Sequence, residues 1–317
     1  MEMVENLTVK PSLSRSEMIE AFGNELEFDR ELGSFTTFKT GGPAQYFLTV
    51  KSAEEVSESI KTAHHLQIPL FIVGGGSNLL VSDYGFEGLM IKVDVTGLEL
   101  IGKNLIFSGA GEELMALINF SADNSLTGLE FASGIFGLVG GAIYGNAGAY
   151  GGEIADIIKE ITLVDMDGNV KKVDANYCEF GYRDSLLKRS NEVVINALFQ
   201  FSAGEKTVIR SKIDEIIAIR AKKHPVEGKC AGSFFKNIPD PKEKHGKLPA
   251  GRLLEEAGCK GLKVGGAEVF EKHANIIVNR GNATSSDIRK LADIMKKRVS
   301  EKFGILLEEE VIQIGQF

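Results

Sequence analysis

Apolar and polar positions alternate along this chain with two periods, and the switches between them divide it into elements. SRSEMIEAFG opens with a Ser-x-x-Glu capping signal, and Gly23 can stop the short helix that follows. In SFTTFKTGGPAQYFLTV, Thr and Phe alternate around Gly41-Gly42-Pro43, which predicts strand, turn, strand. SAEEVSESIKTAHHLQ is a helix, with Ser52 as cap, Glu55 completing a capping box, and Val56, Ile60 and Ala63 on one face. IPLFIVGGGSNLLVSD is a buried strand that runs into glycines and out into a second apolar strand. This βαβ-like order predicts an α/β or α+β fold.

A strand-rich zone follows. GLMIKV, LELIGKNLIFSGAG, EITLVDMDGNVKKVDAN and NEVVINALFQFS are short β-like runs, with a hairpin turn at Asp167-Gly168 and one helix, GEELMALINFSADN, between them. The last zone opens with the helix KTVIRSKIDEIIAIRAKKH, whose Ile209, Ile213, Ile216 and Ile217 line one face and which Pro225 ends. TSSDIRKLADIMKKRVSEKFG is a capped amphipathic helix, and ILLEEEVIQIG is a final strand. The expected units are residues 1–84, 85–205 and 206–317.

Composition narrows the class. The chain has 317 residues and a net charge of −8, which disfavours broad nucleic-acid or anionic-membrane binding but leaves room for a local basic pocket. Cys178, Cys230 and Cys259 are odd in number and widely spaced, so neither a disulfide framework nor a zinc site is indicated, and the histidines lack metal-ligand spacing. MEMVENLTVK is polar and acidic rather than a secretory signal, and no apolar run approaches the ~20 residues of a membrane span. A cytoplasmic protein without membrane insertion, and a monomer, is expected.

Glycine carries the chemical signal. In VGGGSNLLVSD, the successive N–H groups of Gly74, Gly75 and Gly76, with Ser77 and Asn78, can form an anion-binding concavity. An ordinary glycine turn is the other reading, since neither G-x-G-x-x-G nor a P-loop is present. In GLEFASGIFGLVGGAIYGNAGAYGGE, glycines recur among apolar residues, unlike a flexible Gly/Ser linker. Either the backbone presses against a flat or phosphorylated ligand, or this is a core with tight turns. Two such stretches would suit a long ligand with two phosphates.

FTTFKTGGPA, VGGGSNLLVSD, GLEFASGIFGLVGGAIYGNAGAYGGE, FGYRDS, AGSFFKN, VGGAEVFEKHANIIVN and LEEEV occur in the order found in the UDP-N-acetylenolpyruvoylglucosamine reductases, also called UDP-N-acetylmuramate dehydrogenases. The chain resembles that family from about residue 30 to 315, and its compact length is similar to the shorter subclass, which lacks an extra tyrosine-bearing loop. The resemblance implies an α+β protein with the two-part FAD-binding fold of the vanillyl-alcohol-oxidase (PCMH) type, followed by an α/β substrate-binding domain. It implies non-covalent FAD, NADPH as co-substrate, and UDP-N-acetylglucosamine enolpyruvate reduced to UDP-N-acetylmuramate in peptidoglycan synthesis. In the family, NADPH reduces FAD and leaves; a hydride then passes from flavin N5 to the vinyl carbon, and a proton goes to its neighbour. The cofactor-binding positions implied are Gly74, Gly75, Gly76, Ser77, Asn78, Ser133, Gly134, Gly137, Gly140, Gly141, Asn146, Gly148 and Ala149.

By the same resemblance, Ser233 is the proton donor. A serine hydroxyl is a weak acid, so it suits a strongly basic enolate held within hydrogen-bond reach and needs no activating histidine. Arg183 matches the family's catalytic arginine, a planar fork suited to a carboxylate; by itself it reads equally as a surface partner of Asp184. Glu310 matches the catalytic glutamate, which a shielded pocket would keep protonated. Strand alternation alone does not separate Glu308 from Glu310, and Glu308 and Glu309 read as a solvated strand end. Tyr182, Lys223 and Asn237 match substrate-site positions, although Lys222 and Lys223 also suit a helix C-terminus.

The chain departs from the family in the flavin loop, where Ile135-Phe136-Gly137-Leu138 replaces Ile-Pro-Gly-Ser, at Gly145, and at Ile238, where proline is usual. A flavin oxidase on this fold would lack the C-terminal constellation, and a non-catalytic binder would lack Arg183, Ser233 or Glu310. A Ser-His hydrolase would need the nucleophile elbow that is missing here.

Overall fold

The computed structural model describes residues 13–225, 229–243 and 246–317. The N-terminal MEMVENLTVK, and whatever it signals, lies outside them. Helix α1 (Arg15–Phe22) starts on a complete Ser14/Glu17 capping box and ends at Gly23 with φ 86°. Strand β1 (Glu27–Glu31) follows. The expected strand over SFTTFK is absent. Phe35 and Thr36 instead hydrogen-bond back to the Leu32 carbonyl in tight turns, and Lys39 takes a left-handed φ of 58°.

Beyond that turn come β2 (Pro43–Val50), α2 (Ala53–Leu66), β3 (Leu70–Val73), β4 (Leu79–Val81) and β5 (Phe86–Val93). Ser52 caps α2, but Glu55 reaches the Lys51 amide at 2.6 Å rather than closing the box on Ser52. The strand order is β1-β2-β5-β3, with β2, β5 and β3 mutually parallel. β5 reads as a nearly unbroken apolar run because both of its faces are covered. Leu89, Ile91 and Val93 enter the largest core, whereas Met90 enters a smaller one with Phe47, Val73 and Ile314. Because β5 belongs to this sheet, the expected division at 84/85 cuts through it; a break after Val93 keeps it whole.

The second sheet is antiparallel. It contains β6 (Leu98–Ile101) and β7 (Leu105–Gly109), then strands Ile158–Val164, Val170–Val173 and Val193–Gln200. Helices α3 (Leu114–Asp123) and α4 (Val139–Tyr144) and the short α5 (Leu187–Ser190) lie along its connections. Helix α6 (Lys206–Lys223) buries Ile209 and Ile213 in the same core as this sheet. The expected division at 205/206 therefore separates α6 from the core it completes. Ile217, placed on the apolar face by periodicity, is 40% exposed because α6 outruns that core.

The C-terminal unit packs α7 (Ala250–Glu256) and α8 (Ser285–Phe303) with strands Lys263–Val264, Ala267–Val269 and Ile277–Asn279 around a separate core. Phe38 and Leu80 from the first unit complete that core. The expected final strand is shorter than its apolar pattern: Ile312–Ile314 alone is regular, and it pairs in parallel with β4. No described helix is long and apolar enough to cross a membrane.

Candidate functional site

The first glycine loop leaves β3 and enters β4, and its residues are tied to distant chain. Thr37 donates its amide to the Gly76 carbonyl at 3.2 Å and its hydroxyl to the Ser77 carbonyl at 3.3 Å. Gly76 has φ 65°, and a Cβ there would sit 2.9 Å from the Phe35 ring, so glycine is required on both counts. The second glycine stretch folds against the first: Leu138 lies 3.3 Å from where a Gly75 Cβ would be, and a Gly137 Cβ would come within 2.9 Å of the Ser77 hydroxyl. The two loops therefore pack against each other.

The residues at this junction suit a bound polar group. Ser133 is fully buried, and its hydroxyl has no hydrogen-bond partner among the described residues. A buried hydroxyl left unpaired costs free energy, a cost that a bound polar group would relieve. A Cβ on Gly141 would meet open space, whereas one on Gly140 would press on Ala110. Phe136, at the tip of the departing loop, is 78% exposed. Asn78 and Asn146, expected as cofactor-binding residues, each give a side-chain N–H to the protein's own backbone. The amide of Asn78 donates to the Glu310 carbonyl, and that of Asn146 donates to the Gly181 carbonyl, each at 2.9 Å.

Arg183, Glu310 and the loop of Ser233 converge beside the two glycine stretches. Gly181 and Asp184 close a tight turn through a reciprocal pair of backbone hydrogen bonds, which leaves Arg183 at φ 55°. A left-handed arginine is uncommon, and strain of this kind clusters at working sites. Its Nε donates to Glu310 Oε1 at 2.9 Å, and its Nη2 donates to the Gly148 carbonyl at 2.7 Å. The surface Arg183–Asp184 pair is not formed; Asp184 binds Arg189 instead.

Ser233 follows Gly232, which has φ 73°, and precedes the fully buried Phe234. The Phe234 carbonyl accepts the Glu310 amide at 2.8 Å, so the serine loop and the glutamate are joined by backbone. Asn275 holds this loop through both ends of its side chain, to the Phe235 amide at 2.9 Å and carbonyl at 2.8 Å. The Ser233 hydroxyl itself makes no hydrogen bond to a described residue.

Burial pushes the Glu310 carboxyl above its ordinary range, against the opposing pull of Arg183, Lys188 and Lys236. Desolvation thus outweighs three nearby cations. The neighbouring glutamates divide as the side-chain contacts dictate. Glu308 is exposed and pairs with Lys236. Glu309 is not a solvated strand end, because it is held by Arg289 and Lys296 at 3.1 and 3.0 Å.

Tyr182 is half-buried under Lys247, whose ammonium lies 3.4 Å from the ring centroid. Burial raises the Tyr182 hydroxyl, with Asn237 against it. Asn237 also accepts the Ala250 amide at 3.0 Å, which ties it to the start of α7. Lys223 stands apart, exposed in the last turn of α6, as the helix-end reading has it. Sequence reasoning missed Lys188, Lys236, Lys247 and Arg220. Lys188 donates to the Arg183 carbonyl at 2.6 Å, and burial lowers its pKa. Arg220 donates to the Gly134 carbonyl at 3.0 Å. Lys236 lies inside the AGSFFKN motif; the others stand in ordinary polar surroundings that carry no signal of their own.

Comparison with known proteins fits this geometry. Residues 44–174 match the family model described as FAD binding domain, and residues 224–314 match UDP-N-acetylenolpyruvoylglucosamine reductase, C-terminal domain. The first match runs from β2 through strand Val170–Val173, across both sheets, and supports the two-part FAD-binding fold. The chain is 40% identical over 293 residues to a UDP-N-acetylenolpyruvoylglucosamine reductase of Listeria monocytogenes serotype 4a, covering 92% of this chain and 95% of that one. It is 41% identical over 292 residues to the same-named protein of Lachnoclostridium phytofermentans, covering 90% and 91%. The crystal structure of UDP-N-acetylenolpyruvylglucosamine reductase from Thermus caldophilus superposes with a TM-score of 0.76 at 32% identity, over 92% of this chain and 98% of that one.

Proposed function

Because this chain belongs to the UDP-N-acetylenolpyruvoylglucosamine reductase family and is an FAD-dependent oxidoreductase, we propose that it reduces the enolpyruvyl group of UDP-N-acetylglucosamine enolpyruvate to give UDP-N-acetylmuramate. NADPH is the reductant, and the reaction belongs to the cytoplasmic steps of peptidoglycan synthesis. A monomer suffices, since Arg183, Ser233 and Glu310 all come from one chain. FAD, when bound, supplies the hydride that passes from NADPH to the enolpyruvyl CH2 carbon.

The observation that carries this reading is the Arg183–Glu310 contact at 2.9 Å, backbone-linked to the Ser233 loop and hydrogen-bonded to both glycine stretches. The protein's task is to manage charge and proton. Arg183 spends Nε on Glu310 and one Nη2 hydrogen on Gly148, so its Nη1 group remains for the substrate carboxylate. As hydride arrives, negative charge grows on that carboxylate and on the carbon beside it. Arg183 stabilises the first, and Glu310, whose burial favours the protonated form, lends a hydrogen bond to the enolate when it holds its proton. Ser233 gives its proton to the carbon. The diphosphate is assigned to the cationic side of the site, where Lys247 covers Tyr182, with Asn237 as a further contact. Among the loop residues, Gly74–Ser77 and Ser133–Gly141 are assigned to FAD through backbone groups and the Ser133 hydroxyl.

Anaerobic mixing tests this. Oxidised-flavin absorbance should bleach with NADPH and recover when UDP-N-acetylglucosamine enolpyruvate is added. With Ser233→Ala, bleaching should persist unchanged while recovery slows by about 10²–10⁴-fold. Recovery at the wild-type rate in that variant would remove Ser233 from the proton path. Bleaching without recovery in the unmodified protein would leave a flavoenzyme with another acceptor.

A further inference from the structure

Each asparagine of the glycine loops donates its side-chain amide to a backbone carbonyl at or beside the catalytic pair. Asn78 meets the chain that carries the glutamate twice, once by side chain and once by backbone. Its Nδ2 donates to the Glu310 carbonyl at 2.9 Å, and its backbone carbonyl accepts the Ile312 amide at 3.0 Å. These two contacts bracket Glu310 and Val311 and extend the pairing of β4 with Ile312–Ile314 up to the catalytic residue.

Asn146 does the same for the arginine. It is 1% exposed and has a left-handed φ of 43°, a conformation that asparagine tolerates better than other side chains. Its Nδ2 donates to the Gly181 carbonyl at 2.9 Å, and its Oδ1 accepts the Ala155 amide at 3.1 Å. The partners fix the amide's orientation, because a carbonyl needs a donor and an N–H needs an acceptor. Gly181 opens the tight turn that sets Arg183 in its left-handed conformation, and Gly148, two residues past Asn146, accepts the Arg183 Nη2.

From this we infer that Asn78 and Asn146 are positioning residues, each fixing one member of the Glu310–Arg183 pair to one of the two cofactor loops. This rests on the reductase reading above. It deepens that reading by making the arrangement of the loops a condition for the charge-handling pair. An error of about 1 Å at a reacting group costs on the order of 10²-fold in rate, which sets the scale of the effect. Hydride arriving from NADPH develops no enolate, so the reductive half-reaction does not draw on the pair.

The test uses Asn78→Ala and Asn146→Asp. The aspartate keeps the shape and the acceptor for Ala155, and it replaces the donor to Gly181 with an acceptor oxygen that repels that carbonyl. FAD affinity is read by flavin fluorescence quenching, and the two half-reactions by stopped flow. The expected result is FAD affinity within about two-fold of the parent, flavin reduction by NADPH little changed, and reoxidation by the enolpyruvate slowed by about 10- to 100-fold. A second readout is a cycle. In a Glu310→Gln background, Asn78→Ala should slow reoxidation by less than about two-fold, because its effect runs through that carboxyl. If FAD affinity falls enough to account for the whole loss, the asparagines are cofactor ligands and the inference fails. It fails equally if Asn78→Ala costs the same factor with and without Glu310. Should Asn78→Ala not fold, Asn78→Ser, which retains a donor on a shorter side chain, goes through the same cycle: a loss that vanishes without Glu310 supports the inference, and one that persists overturns it. A parent protein that enolpyruvate does not reoxidise faults the reductase reading; a reoxidised parent with unaltered variants faults this inference alone.

Discussion

Glu310 shows how one residue can be placed against its own stability. Burial raises its pKa even with Arg183 alongside, so the folded protein holds this proton more tightly than the unfolded chain does. The sign follows by linkage: the contribution is neutral below the ordinary carboxylate pKa, and stability is lost as pH rises through the raised one. Glu310→Gln lacks that titration. The stability of the parent relative to Glu310→Gln should therefore decline as pH climbs from the ordinary carboxylate pKa to neutrality, as read from denaturant midpoints at several pH values. A difference that does not vary with pH would mean that Glu310 is ionised at no cost. The buried thiol of Cys178 shows the opposite case, a titratable group with no task. Burial pushes it to about 11, in line with an inert cysteine.

At the scale of the element, α6 completes one core and runs on past it. Its isoleucine period was legible in sequence, and Ile209, Ile213 and Ile216 are buried. The period did not reveal that Arg220, one turn before the end, reaches back to Gly134 in the cofactor loop. Just beyond, His224 stacks at 5.6 Å on His273. Burial, Arg220, His273 and Lys223 together drive His224 down to about 4. The folded state keeps this ring neutral, whereas the unfolded chain protonates near the ordinary histidine pKa. Its stabilisation is thus present above about 6.5 and lost as pH falls towards about 4. Between pH 7 and 4.5 the parent should lose more stability than His224→Gln, as read from denaturant midpoints at several pH values. Parallel curves for the two proteins would show that the ring is protonated in place.

For the whole molecule, the decisive contacts run between units. Asp83, just past β4, accepts from the Ser285 and Ser286 amides at 2.7 and 2.9 Å and from the Ser286 hydroxyl at 2.7 Å. It thereby adds to the cap that Thr284 gives α8 from within its own unit. Burial raises its pKa, but the hydrogen bonds from Ser286 and Ser285 outweigh that and hold it below the ordinary value. Asp83→Ala should lower the stability of the C-terminal unit by about 1 kcal/mol. It should also increase amide exchange at the start of α8 while leaving β2 and β5 protected. Loss of protection confined to the first sheet would show that Asp83 acts only locally. Together with the pairing of Ile312–Ile314 on β4, this contact explains why a chain with separate cores presents one site.

What the sequence by itself determined was whatever depends on neighbours along the chain. Helices α1, α2, α6 and α8, the hairpin at Asp167-Gly168 and the two glycine stretches follow from period, caps and turn chemistry. The ordered motifs added Arg183, Ser233 and Glu310. The tertiary structure decided which partners those residues meet. SFTTFK has a strand-like pattern but turns back on Leu32, because Gly76 and Ser77 take the hydrogen bonds of Thr37. Glu308, Glu309 and Glu310 are equivalent in composition, yet one meets solvent and Lys236, one meets Arg289 and Lys296, and one meets Arg183. Asn78 and Asn146 look like cofactor donors until Glu310 and Gly181, far along the chain, are brought against them. The physical reason is the same each time. Local pattern fixes which way a side chain leaves the backbone, whereas burial and charge depend on segments that only folding brings into reach.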